Sequence, residues 1–418
     1  MNNPAETIKI VIVGGGFGGV YTLKNLHKTF CGNRKVKIYL VSEKNYFLFT
    51  PLLHEVATGA INPENIVEPI RKVLGCCLAK FYLGKVKKIH LADKAIEVGE
   101  DKIPYDYLVL APGAETNFYN IPGAEKYSFP LKSLEHAVKI KNHSILQIEK
   151  ATHIKDRTER KKKLAFVVVG GGATGVEFAT ELEEFIKETF VHYYPREVIE
   201  DVSITLVQKN KDLLPQFDPK LRQKSLEVIK KKGVSVLLDT KVEEVKESEI
   251  ILNNGSKIDT ETVIWVAGIK PVGIEFDKTV EKSADGKIMV NEFLQMEESP
   301  EIFVVGDNAK IIYKDKNVSP PALAQVVIKQ ASVVASNIKL SIENKTLSPF
   351  IYKSSGSLVS LGQWMAIGEV AHFIFSGKTT WWLWRTVYLF KLLSWKKKVK
   401  VAIDWTINIF LPRDISQI

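Results

Sequence analysis

The sequence predicts an α/β protein with two doubly wound parallel-sheet domains, one interrupting the other, and an amphipathic C-terminal region. Three observations predict it. The phrase "IKIVIVGGGFGGV" opens the chain at Ile8–Val20, and a near copy, "AFVVVGGGATGVEF", returns at Ala165–Phe178. From Lys378 to Lys400 the chain then turns rich in Trp and Lys and carries no acid.

Lys9–Val13 is an apolar, β-branched run ended by glycine, the mark of a strand buried on both faces. Gly14-x-Gly16-x-x-Gly19 follows, and Val20–Thr29 has helical spacing with Leu23 and Leu26 on one side. A second apolar run, Lys37–Val41, leads to Glu43. Strand, glycine turn, helix and strand in this order form a dinucleotide-binding fingerprint. The glycines let backbone approach a pyrophosphate at a helix N-terminus, and the acid after the second strand holds both ribose hydroxyls.

The copy repeats the logic. Leu164–Val169 is the strand, Gly170-x-Gly172-x-x-Gly175 the turn, Val176 to about Lys187 the helix and Ser203–Val207 the second strand. At the ribose-reading position stands Gln208, followed by Lys209. A glutamate there would repel a 2′-phosphate and a glutamine does not. We therefore expect relaxed discrimination between NADH and NADPH, with NADH the main donor. Two fingerprints imply two nucleotides held at once: a resident flavin, FAD, and a visiting NADH or NADPH.

Later segments complete two Rossmann-like dinucleotide-binding domains. Tyr105–Ala114, "YDYLVLAPGA", reads as a strand ending in a small-residue turn, and Thr262–Gly268, "TVIWVAG", mirrors it. Glu301–Asn308, "EIFVVGDN", is a further strand, and Ser133–Arg160 reads as a helix running into a solvated charged connector, "KDRTERKKK". The expected order is an FAD domain (1–159) interrupted by an NAD(P)H domain (160–285). The chain then returns to the FAD domain (286–345) and ends in a membrane-associating and dimerisation region (346–418).

Hydrophobic residues make up 45% and charged residues 25% of the 418, an ordinary globular balance. The formal charge of +10 calls for an anionic partner. No motif supports nucleic acid, so an anionic lipid surface or a phosphorylated cofactor is expected. The three cysteines, Cys31, Cys76 and Cys77, form no CxxC, which points to a reducing compartment. His and Cys are too scattered for a metal site. The first residues run straight into a strand, so no signal or transit peptide is expected. No window of 18 uncharged apolar residues offers an ordinary membrane span.

In the tail, Trp381, Trp384, Tyr388, Leu392 and Trp395 recur at helical spacing, with Trp382, Leu389 and Leu393 as a second stripe. Arg385 and Lys391 interrupt the cylinder. One face is expected on protein and one on lipid. The membrane-facing set is Trp381, Trp382, Trp384, Arg385, Tyr388, Trp395, Lys396, Lys397 and Lys398. Aromatic rings settle at the interface, and lysines attract anionic head groups at about 1 kcal/mol each. Val399–Ile409 alternates apolar and polar, which taken alone says strand.

Beyond the fingerprints, "EKNYFLFTPLLHEVATGAINPENIVEPIR" (Glu43–Arg71), "GGGATGVEFATEL", "LLPQFDPKL", "PPALAQ" and the Trp-rich tail resemble the type II NADH dehydrogenases. These are single-chain NADH:quinone oxidoreductases of the two-dinucleotide-binding-domain flavoproteins. The resemblance runs essentially end to end. It implies that Gly14, Gly16, Phe17, Gly18 and Gly19 cradle the FAD pyrophosphate, with Glu43 and Lys44 at its ribose and Val86 at the adenine. Thr50 and Pro51 would lie by the flavin ring. Ala111, Pro112, Gly113, Gly306 and Asp307 would line the FAD. Gly170, Gly172, Thr174, Gly175, Gln208, Ala267 and Gly268 would bind NAD(P)H.

The same resemblance implies Glu177 and Gln325 as catalytic candidates. Glu177 would sit by the nicotinamide and flavin. Ala324 and Gln325 would close over the pyrimidine end, where quinone arrives. The family pattern there is close to A-Q-x-A-x-Q, whereas this chain has "AQVVIK", with Val327 and Lys329 as departures. Lys329 is a second quinone-side candidate, and His54 and His136 are expected to be structural. The implied activity is hydride transfer from NADH to FAD, then two electrons to a membrane quinone, without proton pumping. The implied setting is a homodimer in the respiratory chain, a peripheral membrane protein on the cytoplasmic face of the cell (inner) membrane. The resemblance also makes Val399–Ile409 a helix. A disulfide reductase or sulfide:quinone oxidoreductase of this architecture would need cysteines that are missing. A soluble reductase of a protein electron carrier, or a redox sensor, remains the alternative, and neither needs a lipid-seeking tail.

Overall fold

Apolar runs that end in glycine become parallel strands, and the amphipathic segments between them become the covering helices. The computed structural model describes residues 7–75, 79–312, 320–370 and 373–417. Cys76 and Cys77 lie outside the described residues. In chain order, the elements that build the sites are β1 (Ile8–Val13), α1 (Phe17–Phe30), β2 (Val36–Ser42), α2 (Leu53–Ala57), β3 (Tyr107–Leu110), α3 (Leu134–Ala151), β4 (Ala165–Val169) and α4 (Ala173–Glu184). They continue with β5 (Ser203–Val207), β6 (Thr262–Trp265), β7 (Ser299–Val304), α5 (Ala324–Ile342), β8 (Ser357–Ser360), α6 (Lys378–Lys391) and α7 (Trp395–Phe410).

The chain divides into two compact units. The first gathers Met1–Phe47, Val67–Glu115 and Ile269–Ser354, and the second gathers Leu48–Ile66, Thr116–Gly268 and Ser355–Ile418. The second unit thus interrupts the first between Glu115 and Ile269, and the chain returns to the second unit at Ser355. Ser128–Pro130 pairs in parallel with β6, Ser128 opposite Val263, which ties the segment before α3 to the second sheet; the chain rejoins the first unit at Ile269. Leu48–Ile66 joins the second unit because α2 packs on α3 and α4.

In the first unit, β7, β3, β1, β2 and Ala79–Leu83 lie side by side and parallel, with Gln295–Met296 antiparallel at the edge. Val13 stands opposite both Val41 and Leu110, so three strands end level. Such an edge at the carboxyl ends is where an open α/β sheet takes its ligand. Helices α1 and α5 pack together at Gly18, whose added Cβ would lie 3.3 Å from Val327 Cγ1.

The second unit carries the parallel order Ser128–Pro130, β6, β4, β5, Ser235–Leu237. The charged stretch expected as a solvated connector is instead the helix Arg157–Lys163, capped by Asp156. Arg157 Nε and Arg160 Nη2 reach the buried Asp201 carboxylate at 2.9 and 2.7 Å. Burial would raise the Asp201 carboxyl, but its hydrogen bonds to the two arginines hold it below the usual range.

The tail departs from a single helix. Leu392 is extended, and Ser394 accepts the Lys397 N–H to start a new helix, α7. Val399–Ile409 lies inside α7 and is helical. Its alternation is two interleaved stripes four residues apart: Val401 and Trp405 point inward, while Val399, Ile403 and Ile407 are exposed.

Candidate active site

The two glycine turns are built alike. Gly14 has φ +108° and Gly170 φ +118°, conformations that L side chains rarely adopt. A Cβ on Gly19 would sit 1.8 Å from the Gly14 carbonyl oxygen, and one on Gly175 the same distance from that of Gly170. A Cβ on Gly16 or Gly172 would meet nothing within 4 Å. Each turn is thus closed toward its own sheet and open at a helix N-terminus, which fits a dinucleotide pyrophosphate.

Around the first turn, Ala111, Pro112 and Gly113 follow β3, and Gly306 and Asp307 follow β7. Asn308 donates its side-chain N–H to the Gly113 carbonyl, and the Gly306 N–H donates to Gln330 Oε1 at 2.8 Å. The first bond ties the two strand ends together and the second ties the end of β7 to α5, beside the open turn, a rim that fits FAD. Phe17 packs edge-on against Phe47 at 4.9 Å. Glu43 is exposed just beyond β2, the Lys44 N–H donates to Ser42 Oγ at 3.3 Å, and Val86 opens the strand Val86–His90. Thr50 and Pro51 belong to the second unit, in the turn that leads into α2.

Ala324 and Gln325 begin α5. Lys329 is engaged locally: its Nζ donates to the Lys353 carbonyl at 2.6 Å and lies 5.3 Å from the Tyr352 ring. Gln330, buried and bonded to Gly306, is the functional-site residue that sequence reasoning missed here. It follows directly on Lys329, one position beyond the place where the family pattern puts a second glutamine.

Around the second turn, Ala267 and Gly268 follow β6, and Ala267 Cα would lie 2.7 Å from a Cβ on Gly170. Thr174 is exposed in the first turn of α4. Gln208 is buried; its Oε1 accepts the Gly171 N–H at 3.0 Å and its Nε2 donates to the Asp212 carbonyl at 3.2 Å. The side chain therefore braces the glycine turn. Lys209 Nζ lies 5.6 Å from the Tyr119 ring.

Beyond the turn, α4 carries Glu177, Glu181 and Glu184 at helical spacing on one buried face. Glu177 Oε1 accepts the Ser360 N–H at 3.1 Å, and its Oε2 lies 3.9 Å from His54 Nδ1. Trp405 donates its indole N–H to Glu55 Oε2. Arg413 Nη2 reaches Glu181 Oε2 at 2.8 Å and Glu184 Oε2 at 3.7 Å. Lys232 and the Gln363 N–H both bond Glu184 Oε1.

Burial sorts these charges. It pushes Glu177 up to about 8, helped by Glu55 and Glu181 and opposed by the Ser360 N–H. It also pushes Glu55 up to about 8, helped by the Glu181 charge, and Glu184 up to about 7. Burial would raise Glu181 as well, but Arg413, joined by His54 and Arg385, offsets it and holds that carboxyl below its ordinary range. His54 is pushed down to about 4 by burial. With His54 and Glu177 both driven toward neutral forms, their 3.9 Å approach is not an ion pair. His54, expected to be structural, is buried beside the acidic cluster. His136 does fill a structural place, pairing with Ser133 in a capping box.

The expected membrane-facing set splits. Trp381 and Trp384 are each only 1% exposed. Arg385 stacks on Trp381 at 3.8 Å, and Tyr388 lies 4.7 Å from Trp384. These four turn inward, because the break at Leu392–Ser394 folds α6 and α7 against each other instead of continuing one stripe. Trp382 and Trp395 stay exposed, at 50% and 73%, as does Lys396. Lys397 donates to the Glu64 carbonyl, and Lys398 Nζ lies 5.4 Å from the Phe390 ring.

Residues 8–333 match the family described as pyridine nucleotide-disulphide oxidoreductase, and residues 354–414 match the NDH2 C-terminal domain. A probable NADH dehydrogenase of Dictyostelium discoideum is 32% identical over 98% of this chain and 91% of its own length. A type II NADH:quinone oxidoreductase of Mycobacterium tuberculosis is 28% identical over 98% of this chain and 90% of its own length. The solved structure of NDH2 from Plasmodium falciparum in complex with NADH has the same fold, with TM-score 0.89 at 24% identity over 98% of this chain and all of that one. The sulfide:quinone oxidoreductase of Aquifex aeolicus also shares it, with TM-score 0.75 at 21% identity over 97% and 96%. Fingerprints, acidic helix and tail domain thus converge on one conclusion: the chain belongs to the pyridine nucleotide-disulphide oxidoreductase family and, within it, to the type II NADH dehydrogenases.

Proposed function

We propose that this chain takes hydride from NADH, and less readily NADPH, onto bound FAD and passes two electrons to a membrane quinone without pumping protons. The observation that carries the reading is the pair of glycine turns, each open at Gly16 or Gly172 above a helix N-terminus. FAD, when bound, supplies the hydride acceptor and the two-electron donor; side chains do not replace that chemistry. We assign FAD to the first unit, with Glu43 at its ribose and Gly113 and Asp307 along its rim. The nicotinamide nucleotide goes to the second unit, at Gly170–Gly175, Ala267 and Gly268.

Glu177, buried and favouring its protonated form, keeps negative charge away from the reacting groups and can donate a proton. Gln325 is the candidate donor to a quinone carbonyl. Lys329 is the weaker candidate, because Tyr352 and Lys353 already engage it. Gln208 lacks the acid that rejects a 2′-phosphate, which supports use of both nucleotides.

As a member of this family the chain is membrane-associated, and no described helix is long and apolar enough to cross a membrane. Exposed Trp382, Phe390, Trp395, Ile403, Ile407 and Phe410, with Lys396, supply apolar and cationic contacts for an anionic lipid surface. A homodimer at the cytoplasmic face of the cell membrane completes the reading. The test is anaerobic. NADH added to the purified protein should bleach the flavin, and a quinone should restore it. A protein that holds no FAD, or whose flavin ignores NADH, refutes the assignment.

A further inference from the structure

We propose that Glu55 is a proton reserve for quinone reduction, refilled through a buried cavity the size of one water and kept loaded by the Glu181–Arg413 ion pair. The inference rests on the function proposed above. The net reaction is NADH + quinone + H⁺ → NAD⁺ + quinol. Hydride brings two electrons and one proton, so the second proton comes from water.

Placement and surroundings point to Glu55. It lies in α2, which continues directly from Thr50 and Pro51, the pair that the family resemblance puts by the flavin ring. The groups that face it are Glu181 from α4, Arg385 from α6, Trp405 from α7 and Arg413 beyond α7. Glu177, close enough for the Glu55 charge to act on it, is faced in turn by His54, Glu181, the Ser360 N–H and Tyr388. A cavity of ≈ 10 Å³ is lined by Glu55, Glu181, Glu184, Arg385, Asn408 and Arg413, among others. That is room for about one water. Two of its lining residues carry polar atoms with no hydrogen-bond partner, Arg385 Nε and Glu184 Oε2. A water there has donors and acceptors to bind and touches the Glu55 side chain.

Arg413 holds one negative charge fixed on Glu181, and that charge raises the proton affinity of Glu55. Glu55 therefore stays protonated up to about pH 8 while Glu181 stays ionised. The Trp405 N–H acts the other way and favours the carboxylate, which lets the proton leave.

The experiment uses the full-length, FAD-loaded protein. Anaerobic NADH is added first; if the flavin does not bleach, the proposed function fails, whatever Glu55 does. Where it bleaches, reoxidation by a short-chain quinone is timed against pH. Wild-type reoxidation should slow as pH rises through about 8. Trp405→Phe removes a donor to the carboxylate and should move that slowing to higher pH. Glu55→Gln should cut the rate at pH 7 by about a hundredfold and leave flavin reduction by NADH unchanged. A second readout needs no turnover: the carboxylic-acid infrared signal that titrates near pH 8 should lose one of its two protons in Glu55→Gln. An unchanged infrared titration in Glu55→Gln, or an unmoved alkaline limb in both variants, overturns the proposal.

Discussion

The two glycine turns share a backbone and part company in their side chains. In both, the third glycine is pressed against the carbonyl of the first, and the middle one faces open space. At the end of the second strand, however, the first unit leaves Glu43 exposed, while the second buries Gln208 against the Gly171 N–H. The helices differ as well. The buried residues of α1 are apolar or small, whereas α4 buries four glutamates. The turn is a device for holding any dinucleotide. Under the proposed function, the chemistry hung on the helix behind it is what separates a storing site from an exchanging one.

Breaking each turn separately tests that division most forcefully. A Cβ 1.8 Å from a carbonyl oxygen forces the backbone apart in both Gly19→Ala and Gly175→Ala, at a cost of about 3 kcal/mol. Gly19→Ala should purify without yellow flavin absorbance. Gly175→Ala should purify yellow but fail to bleach with NADH. If both lose flavin, the two units do not divide the nucleotides as assigned.

Glu177→Gln sharpens the contrast behind the turn. FAD should stay bound while turnover falls by about a hundredfold. Stability should move the other way with pH. The folded protein holds the Glu177 proton up to about 8 and the unfolded chain releases it near 4.5, so wild-type stability falls as pH rises between these values. Thermal melts should favour the Gln variant at pH 9, and that advantage should vanish near pH 4.

Smaller effects belong to the surface and to nucleotide choice. Lys396→Ala with Lys398→Ala should weaken binding to anionic vesicles by about 30-fold at low salt, read by co-sedimentation, with flavin reduction unaffected. Gln208→Glu can still accept the Gly171 N–H but adds the missing charge. It should raise the NADH-over-NADPH ratio of kcat/KM by about tenfold.

The turns were legible because a backbone that must bend with positive φ and pass close to another carbonyl leaves glycines at fixed spacing. The strand-and-glycine phrases that follow them were legible too, since each had a counterpart. The partner of Ser128–Pro130 was not: the strand is too short to announce its pairing with β6. The acidic cluster left a faint signal, glutamates at 177, 181 and 184 on a helix otherwise rich in apolar residues. Nothing local said that this face points inward, because its cations come from elsewhere in the chain, Lys232 from 48 residues on and Arg385 and Arg413 from its far end. The tail misled for a related reason. Stripes counted along one cylinder merge residues that a capping serine assigns to two, so Trp381 and Trp384 looked outward and are in fact core.

The ion pair between Arg413 and Glu181 spans 232 residues of sequence. During synthesis, the glutamates of α4 leave the ribosome long before their guanidinium exists. Until residue 413 emerges, that face has to stay wet or protonated, so the second unit cannot close dry as it is made. Its final compaction waits on the segment that carries Arg413, and a cut anywhere between Glu181 and Arg413 would be felt in the interior before it was felt at the surface.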